Sequence, residues 1–293
     1  MNNKTVWITG AASGVGRHLV GAFVKRGYFI FACDINAEAL ASATQEDNWP
    51  QKSVITHVMD ICDESQWLEA QKVLASQRPK LDIMLNVAGY LQPGFPTELT
   101  DRDISKHLDI NVKGLILGCQ TAANWMQKSN SDHRSPQTAG HIINFCSLAS
   151  LLPTPGLAAY STSKFAVRGY STALAAQLAE HNIAVTLLCP DAIATPMLDL
   201  QTQHKSAALT FSSGNALSTQ DIEDALFDKI LTKRPFEVIL CKSASMKVMA
   251  KLFLASPTLF IKVNSNSVVK RFMIKRAERN QQRYLRDMLP PKN

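Results

Sequence analysis

The chain has 293 residues, 46% of them hydrophobic and 19% charged, with 31 Lys and Arg against 24 Asp and Glu for a formal charge of +7. That mixture is too apolar for a disordered chain and too varied for a fibre, and it suffices for one large α/β domain or two smaller ones. No run of 18 or more apolar residues offers a membrane span, and Met1-Asn2-Asn3-Lys4 passes directly into Thr5-Val6-Trp7-Ile8 without a leader-like stretch, so a cytoplasmic setting is expected.

Residues 5–9 read as a strand. The turn after it, Thr9-Gly10-Ala11-Ala12-Ser13-Gly14-Val15-Gly16, runs into helical spacing at 15–26. Glycines at that junction let the backbone N–H groups approach a pyrophosphate at the positive end of a helix. The spacing G-x-x-x-G-x-G differs from G-x-G-x-x-G, but the physical logic is the same; the alternative is a tight turn that holds no ligand. A second strand at 28–33 is closed by Asp34, whose carboxylate can accept both hydroxyls of an adenosine ribose and repel a 2′-phosphate. Ile35 and Asn36 follow it and Ser13 precedes Gly14, so no cation offsets the carboxylate. NAD is therefore expected, with NADP the less favoured alternative; as an ordinary helix cap Asp34 would have no ligand role.

The alternation continues with a helix at 36–43, a strand at 53–59, a helix at 64–77, a strand at 83–86 and a long helix at 101–127. Residues 128–139 are polar and contain Pro136, which predicts a surface loop. A strand at 141–146, a helix at 160–181 and a strand at 184–189 come next. Residues 191–215 lack periodicity and are rich in Ser, Thr and Gln; they read equally as a cover over a site or as a plain long loop. A helix at 219–232 opens on Ser218-Thr219-Gln220-Asp221, a capping-box pattern, and a strand at 237–241 closes the series. The strands are near-continuous apolar runs, as in parallel strands covered on both faces. Their alternation with helices predicts an α/β fold: a Rossmann-type doubly wound parallel sheet of about seven strands with helices on both faces.

The six cysteines form no C-x-x-C pair and lie mostly in apolar runs, so they read as reduced, packed side chains. The seven histidines show no ligand spacing, and no metal site is expected. The absence of G-x-S-x-G argues against a serine hydrolase of that kind.

In this order and at strand ends, the motifs resemble those of the short-chain dehydrogenase/reductase family over about residues 4–241. The glycine turn matches T-G-x-x-x-G-x-G, which implies cofactor contacts from Gly10, Ser13, Gly14, Val15 and Gly16. Asp60 resembles the family's adenine-contacting Asp, with Ile61 beside it. Asn86-Val87-Ala88-Gly89 matches N-[x]-A-G, so the resemblance has Asn86, Ala88 and Gly89 support the sheet and line the cofactor site. Asn111 falls at the catalytic Asn, Ser147 ends the fifth strand, and Tyr160-Ser161-Thr162-Ser163-Lys164 is the Y-x-x-x-K signature. Pro190-Asp191 departs from the usual Pro-Gly and adds a charge near where a nicotinamide would lie, whereas Thr195 keeps the threonine that contacts its carboxamide.

The resemblance implies an NAD(H)-dependent oxidoreductase that interconverts an alcohol and a ketone or aldehyde. Tyr160 and Lys164 are one helical turn apart, and an ammonium near a phenol favours the phenolate, so Tyr160 is expected as general acid/base. Ser147 would orient the substrate oxygen, Lys164 would also hold the nicotinamide ribose, and Asn111 would place a water linking Lys164 to solvent. Leu148, Leu151, Leu152 and Leu157 hint at a lipophilic small-molecule substrate or at core packing. A homodimer or homotetramer is the expected assembly. The rival is a catalytically idle Rossmann protein acting as a redox sensor or membrane-surface adaptor.

Segment 242–293 carries 12 Lys and Arg against 2 Asp and Glu, which exceeds the net charge of the whole chain. Composition therefore divides the chain into a catalytic domain at 1–241 and a basic amphipathic extension at 242–293, split by Pro257. Met249, Leu252, Phe253, Val269, Phe272, Met273, Tyr284, Leu285 and Met288 recur at helical spacing. Three readings stand: peripheral contact with an anionic membrane, packing over the substrate cleft or a subunit interface, and a solvated end. No nucleic-acid module is recognised, so nucleic acid is not an expected partner.

Overall fold

The computed structural model describes residues 4–129 and 139–288. Its strands are β1 (Thr5–Thr9), β2 (Phe29–Asp34), β3 (Val54–Val58), β4 (Ile83–Asn86), β5 (Gly140–Phe145), β6 (Ile183–Pro190) and β7 (Glu237–Leu240). All neighbouring pairs are parallel, in the order β3-β2-β1-β4-β5-β6-β7. The helices are α1 (Gly14–Lys25), α2 (Ala37–Glu46), α3 (Glu64–Gln77), α4 (Asp101–Leu108), α5 (Leu115–Ser129), α6 (Ala158–Leu178), α7 (Pro196–Thr202), α8 (Thr219–Asp224), α9 (Leu231–Lys233), α10 (Ala244–Ala255), α11 (Pro257–Ser265) and α12 (Ser267–Met288). The expected doubly wound sheet is the observed one.

Successive side chains of a strand point to opposite faces, and each face has its own core. Trp7, Phe31 and Met84 enter one core with Trp67 and Leu74 of α3. Ile8, Ile30 and Leu85 enter the other with Leu19 and Phe23 of α1. Every residue of β1, β4 and β5 is buried. The two edge strands are buried less: in β3 only Val54 is buried and Val58 is exposed, and in β7 only Val238 is buried. Between β1 and β4 the strand order reverses, which opens a crevice at the carboxyl ends of the strands.

Two predicted segments, 101–127 and 191–215, differ from expectation, and a third lies largely outside the described residues. The helix anticipated over 101–127 is interrupted by a wide π turn at Asp109–Gly114 before α5 carries it on to Ser129. The loop anticipated at 128–139 falls mainly on 130–138, outside the described residues. Residues 191–215 are largely helical, with α7 followed by a 3-10 stretch at Lys205–Ser213. Pro196 opens α7 at a position where a missing N–H costs nothing, and Leu198, Ala207 and Phe211 are buried, an apolar content that the polar average of the segment conceals. The Ser218 capping box forms with both reciprocal hydrogen bonds. Past β7 the described residues form three helices, and Pro257 starts the second of them. Among the described residues no single helix is long and apolar enough to cross a membrane.

Candidate active site

The crevice is a cleft of about 690 Å³ running from the glycine turn and Asp34, past the ends of β4 and β5, to α7. That volume is in the range of small-molecule and cofactor sites. At its first end the backbone is packed to contact. A Cβ on Gly16 would lie 2.0 Å from the Gly10 carbonyl oxygen, and one on Gly10, at φ +71°, would lie 2.9 Å from the Ala88 backbone. Side chains are excluded there, so backbone N–H groups form the wall. The first turn of α1 holds no acidic residue, and the Ser13 hydroxyl makes no capping bond to it. The positive helix end is left for an anion.

Asp34 is fixed by two backbone N–H groups: that of Ala12 donates to Oδ2 at 2.9 Å and that of Asn36 to Oδ1 at 3.0 Å. Asp60 is held similarly, its Oδ1 accepting from the Cys62 N–H at 2.8 Å. Both carboxylates line the cleft together with Ile61; among the described residues the cations lining it are Lys106, 5.3 Å from the Tyr90 ring centre, and Lys164 on α6. Arg17, just past the glycine turn, is occupied by Asp47 at 2.8 Å and Glu46 at 2.9 Å.

At the far end, Ser147, Tyr160 and Lys164 come together. Ser147 caps the 3-10 turn Leu148–Ser150, its Oγ accepting from the Ala149 N–H at 3.1 Å. Tyr160 and Lys164 project from α6 into the same cleft. Lys164 donates from Nζ to the Phe145 carbonyl at 3.0 Å, and this nitrogen lies 5.6 Å from the Tyr160 ring centre. Burial pushes the Tyr160 phenol above its usual range, and the Ser147 hydroxyl offsets only part of this. Burial likewise pushes the Lys164 ammonium down. The lowering of the phenol expected from Lys164 does not appear in the protein alone, where desolvation of the anion dominates.

Two anticipated cleft residues stand behind the wall instead. Asn86 is buried in the sheet; its Nδ2 donates to Asn144 Oδ1 at 2.8 Å, and its side chain does not line the cleft. Asn111 sits in the π turn, where its Oδ1 accepts from the Tyr90 N–H at 2.7 Å and its Nδ2 donates to the Tyr90 carbonyl at 2.8 Å and to Ser163 Oγ at 3.0 Å. A wide turn at this point lets one amide clamp the segment after Ala88-Gly89 from both sides. The remaining anticipated residues, Gly10, Ser13, Gly14, Val15, Gly16, Ala88, Gly89, Pro190 and Thr195, all line the cleft.

One neighbour of the site carries no sequence signature. His107 is fully buried, its Nδ1–H donating to the Asp103 carbonyl at 2.7 Å while its Nε2 accepts from the Gln92 N–H at 3.2 Å. Those partners select the neutral imidazole, and burial holds its pKa below the usual value. Its ring meets Tyr90 and Tyr160 edge-on at 4.9 and 6.3 Å. Asp191 lines the cleft with its Oδ1 taking the Ala192 N–H at 2.8 Å, and burial raises its pKa.

The wall formed by α7 and the 3-10 stretch is held from outside by α12. Tyr284 donates its hydroxyl to Asp199 Oδ1 at 2.9 Å, Gln281 its amide to the Thr202 carbonyl at 2.9 Å, and Asn280 its amide to the Phe211 carbonyl at 2.8 Å. Tyr284 fell within the helical apolar pattern of the extension, but nothing in that pattern distinguished a clamp from a lipid-facing side chain.

A model of the short chain dehydrogenase family matches residues 4–206. A diacetyl reductase [(S)-acetoin forming] of Staphylococcus epidermidis is 31% identical over 197 residues, 67% of this chain and 74% of that one. A cyclopentanol dehydrogenase of Comamonas sp. is 31% identical over 198 residues, covering 67% and 76% of the two chains. Among solved structures, a short chain dehydrogenase/reductase from Burkholderia phymatum in complex with NAD superposes with a TM-score of 0.74 at 23% identity, over 88% of this chain and 95% of that one.

Proposed function

The chain belongs to the short chain dehydrogenase family of oxidoreductases, and from that premise we propose that it interconverts an alcohol and a ketone or aldehyde with NAD(H), using Tyr160 as general acid/base. The observation that carries this reading is the meeting of Tyr160, Ser147 and Lys164 in the cleft whose other end is built from the glycine turn and Asp34. Both named relatives act on alcohol or carbonyl compounds by their names, which agrees with it.

The cleft fits a nicotinamide dinucleotide. The glycine cradle that a Cβ would fill, the unopposed start of α1 and the paired carboxylates suit a pyrophosphate followed by an adenosine with free ribose hydroxyls. Gly10, Ser13, Gly14, Val15 and Gly16 would hold the pyrophosphate end, Asp34 the adenosine ribose, and Asp60 and Ile61 the adenine. Ala88, Gly89, Pro190 and Thr195 would hold the nicotinamide half. NAD is favoured over NADP because Asp34 faces the adenosine end without a neighbouring free cation. When bound, the oxidised cofactor supplies the hydride acceptor and a positive charge.

The chain's own residues do the rest. The Ser147 hydroxyl holds the substrate oxygen as charge develops on it, and Tyr160 Oη takes the alcohol proton or returns it to the carbonyl. Lys164 keeps a cation beside the phenol and is itself oriented by the Phe145 carbonyl. Asn111 acts at one remove, fixing the Tyr90 backbone and Ser163 rather than touching reacting atoms. A small-molecule substrate with an apolar body suits Leu148, Leu152, Leu157 and Met197 in the wall. The division into a catalytic body at 1–241 and an extension at 242–293 belongs to the same proposal. Nothing in the cleft favours the idle-protein alternative.

The test is a panel of alcohols and ketones followed at the nicotinamide absorbance. Turnover with NAD exceeding that with NADP, and lost in Tyr160→Phe, is the expected result. Turnover that survives Tyr160→Phe undiminished would show that the proton goes elsewhere.

A further inference from the structure

Among the described residues, eight of the sixteen exposed large hydrophobic side chains lie within α10–α12, namely Val248, Met249, Leu252, Leu259, Ile261, Val268, Phe272 and Leu285. Single exposed apolar residues are ordinary, but clustering in one segment is not. Helix α10 shows why they stay outside. Met246, Ala250 and Leu254, four residues apart, face the body and pack on its core, with Met246 reaching the cleft wall. Val248 and Leu252 lie on another face, 68% and 49% exposed. Helix α11 then leaves at a bend of 117° and presents Ile261, and the first turns of α12 present Val268 and Phe272. Only further along does α12 turn inward, with Ala277 buried and Asn280, Gln281 and Tyr284 bonded to the cover.

The charge on this stretch is of one sign. From Lys242 to Ala277 the sequence has eight Lys and Arg and no Asp or Glu. Lys251, Lys262, Arg271, Lys275 and Arg276, interspersed along the same helices, are all exposed. A face that is both apolar and wholly cationic repels a second copy of itself across a two-fold interface. It is complementary to a surface that is apolar beneath and anionic above, which is the headgroup region of an acidic bilayer. The 117° bend keeps α10 and α11 from crossing as one rod, so they can lie in the interface without spanning it.

We propose that α10, α11 and the first half of α12 form a docking surface for anionic phospholipid bilayers. Val248, Leu252, Ile261, Val268 and Phe272 enter the acyl boundary, and the surrounding Lys and Arg meet the headgroups. This proposal does not depend on the oxidoreductase reading and its test uses no turnover.

The experiment is flotation of the full-length protein with vesicles of phosphatidylcholine alone and with about 30% phosphatidylserine. The expected result is recovery with the phosphatidylserine vesicles at least about tenfold above that with neutral ones, reduced in high salt. Lys251→Ser with Lys262→Ser and Arg271→Ser, all solvent-facing, should cut recovery about tenfold, and Val248→Asp with Ile261→Asp should abolish it. Circular dichroism melting confirms that each variant is folded, and the serine variant tests the idea even if the aspartate variant does not fold. Equal recovery with both vesicle types, unchanged recovery of the folded variants, binding to duplex DNA but not to vesicles, or a dimer that the same substitutions dissociate would each overturn it.

Discussion

Around the cleft, polar side chains are tied to the backbone: Asp34 by two N–H groups, Asn111 by both the N–H and the carbonyl of Tyr90, and Lys164 by the Phe145 carbonyl. In the extension the balance is opposite, with apolar side chains outside, cations between them and no carboxylate before Glu278. The first region bears the cost of desolvating ionisable groups in return for fixed geometry. The second leaves apolar surface in water, which is stable only if something covers it or if its helices are anchored elsewhere. Helix α12 joins the two, because its second half clamps the wall of the cleft while its first half is exposed.

Substitutions can break this contrast, and the largest effect is expected in the cleft. Lys164→Met keeps much of the buried volume but removes the cation, so kcat/KM should fall about 10³-fold with a wild-type melting profile, measured by steady-state kinetics on the substrate found by screening. Next comes Asp34→Ala, which should weaken NAD about 10- to 100-fold and abolish its preference over NADP, as read by titrating each against protein fluorescence.

The pH response probes burial rather than catalysis. His141 is buried between β5 and β6, its Nε2–H donating to Thr186 Oγ1 at 2.8 Å, with its Nδ1 lacking a partner among the described residues. Burial, helped by the charge of Arg234, pushes its pKa down to about 3. An unfolded histidine takes up a proton near pH 6.5 whereas the folded one does not until about pH 3, so stability is full above the first value and is lost as pH falls toward the second. Urea unfolding between these limits should show proton uptake that diminishes in His141→Asn. The smallest effect belongs to the junction. Tyr284→Phe removes one hydrogen bond to Asp199 and should raise KM about 2- to 5-fold with kcat and NAD affinity little changed; no change in KM would mean that α12 does not hold the cover.

Much of the architecture was legible because parallel strands buried on both faces are nearly continuous apolar runs, and all seven appear within a residue or two of the expected positions. The glycine turn, Asp34, Ser147, Tyr160 and Lys164 were legible through fixed spacing at strand ends and on one helix. Three features were not. The π turn at Asp109–Gly114 goes with a tertiary bond between Asn111 and Tyr90, which local periodicity does not encode. The helices at 196–213 are held by Leu198, Ala207 and Phe211, too few apolar residues to stand out in a polar stretch. The direction of the Tyr160 shift depends on how deeply the phenol is buried, and adjacency to Lys164 in sequence carries no information about solvent.

The proposed mechanism requires that phenol to respond when the cleft is filled. Ultraviolet difference titration of the wild type against Tyr160→Phe, with and without NAD, isolates its ionisation. The account predicts no phenolate from Tyr160 below pH 10 in the protein alone and a clear phenolate signal below that pH once NAD is present. Identical titrations in the two conditions would contradict it.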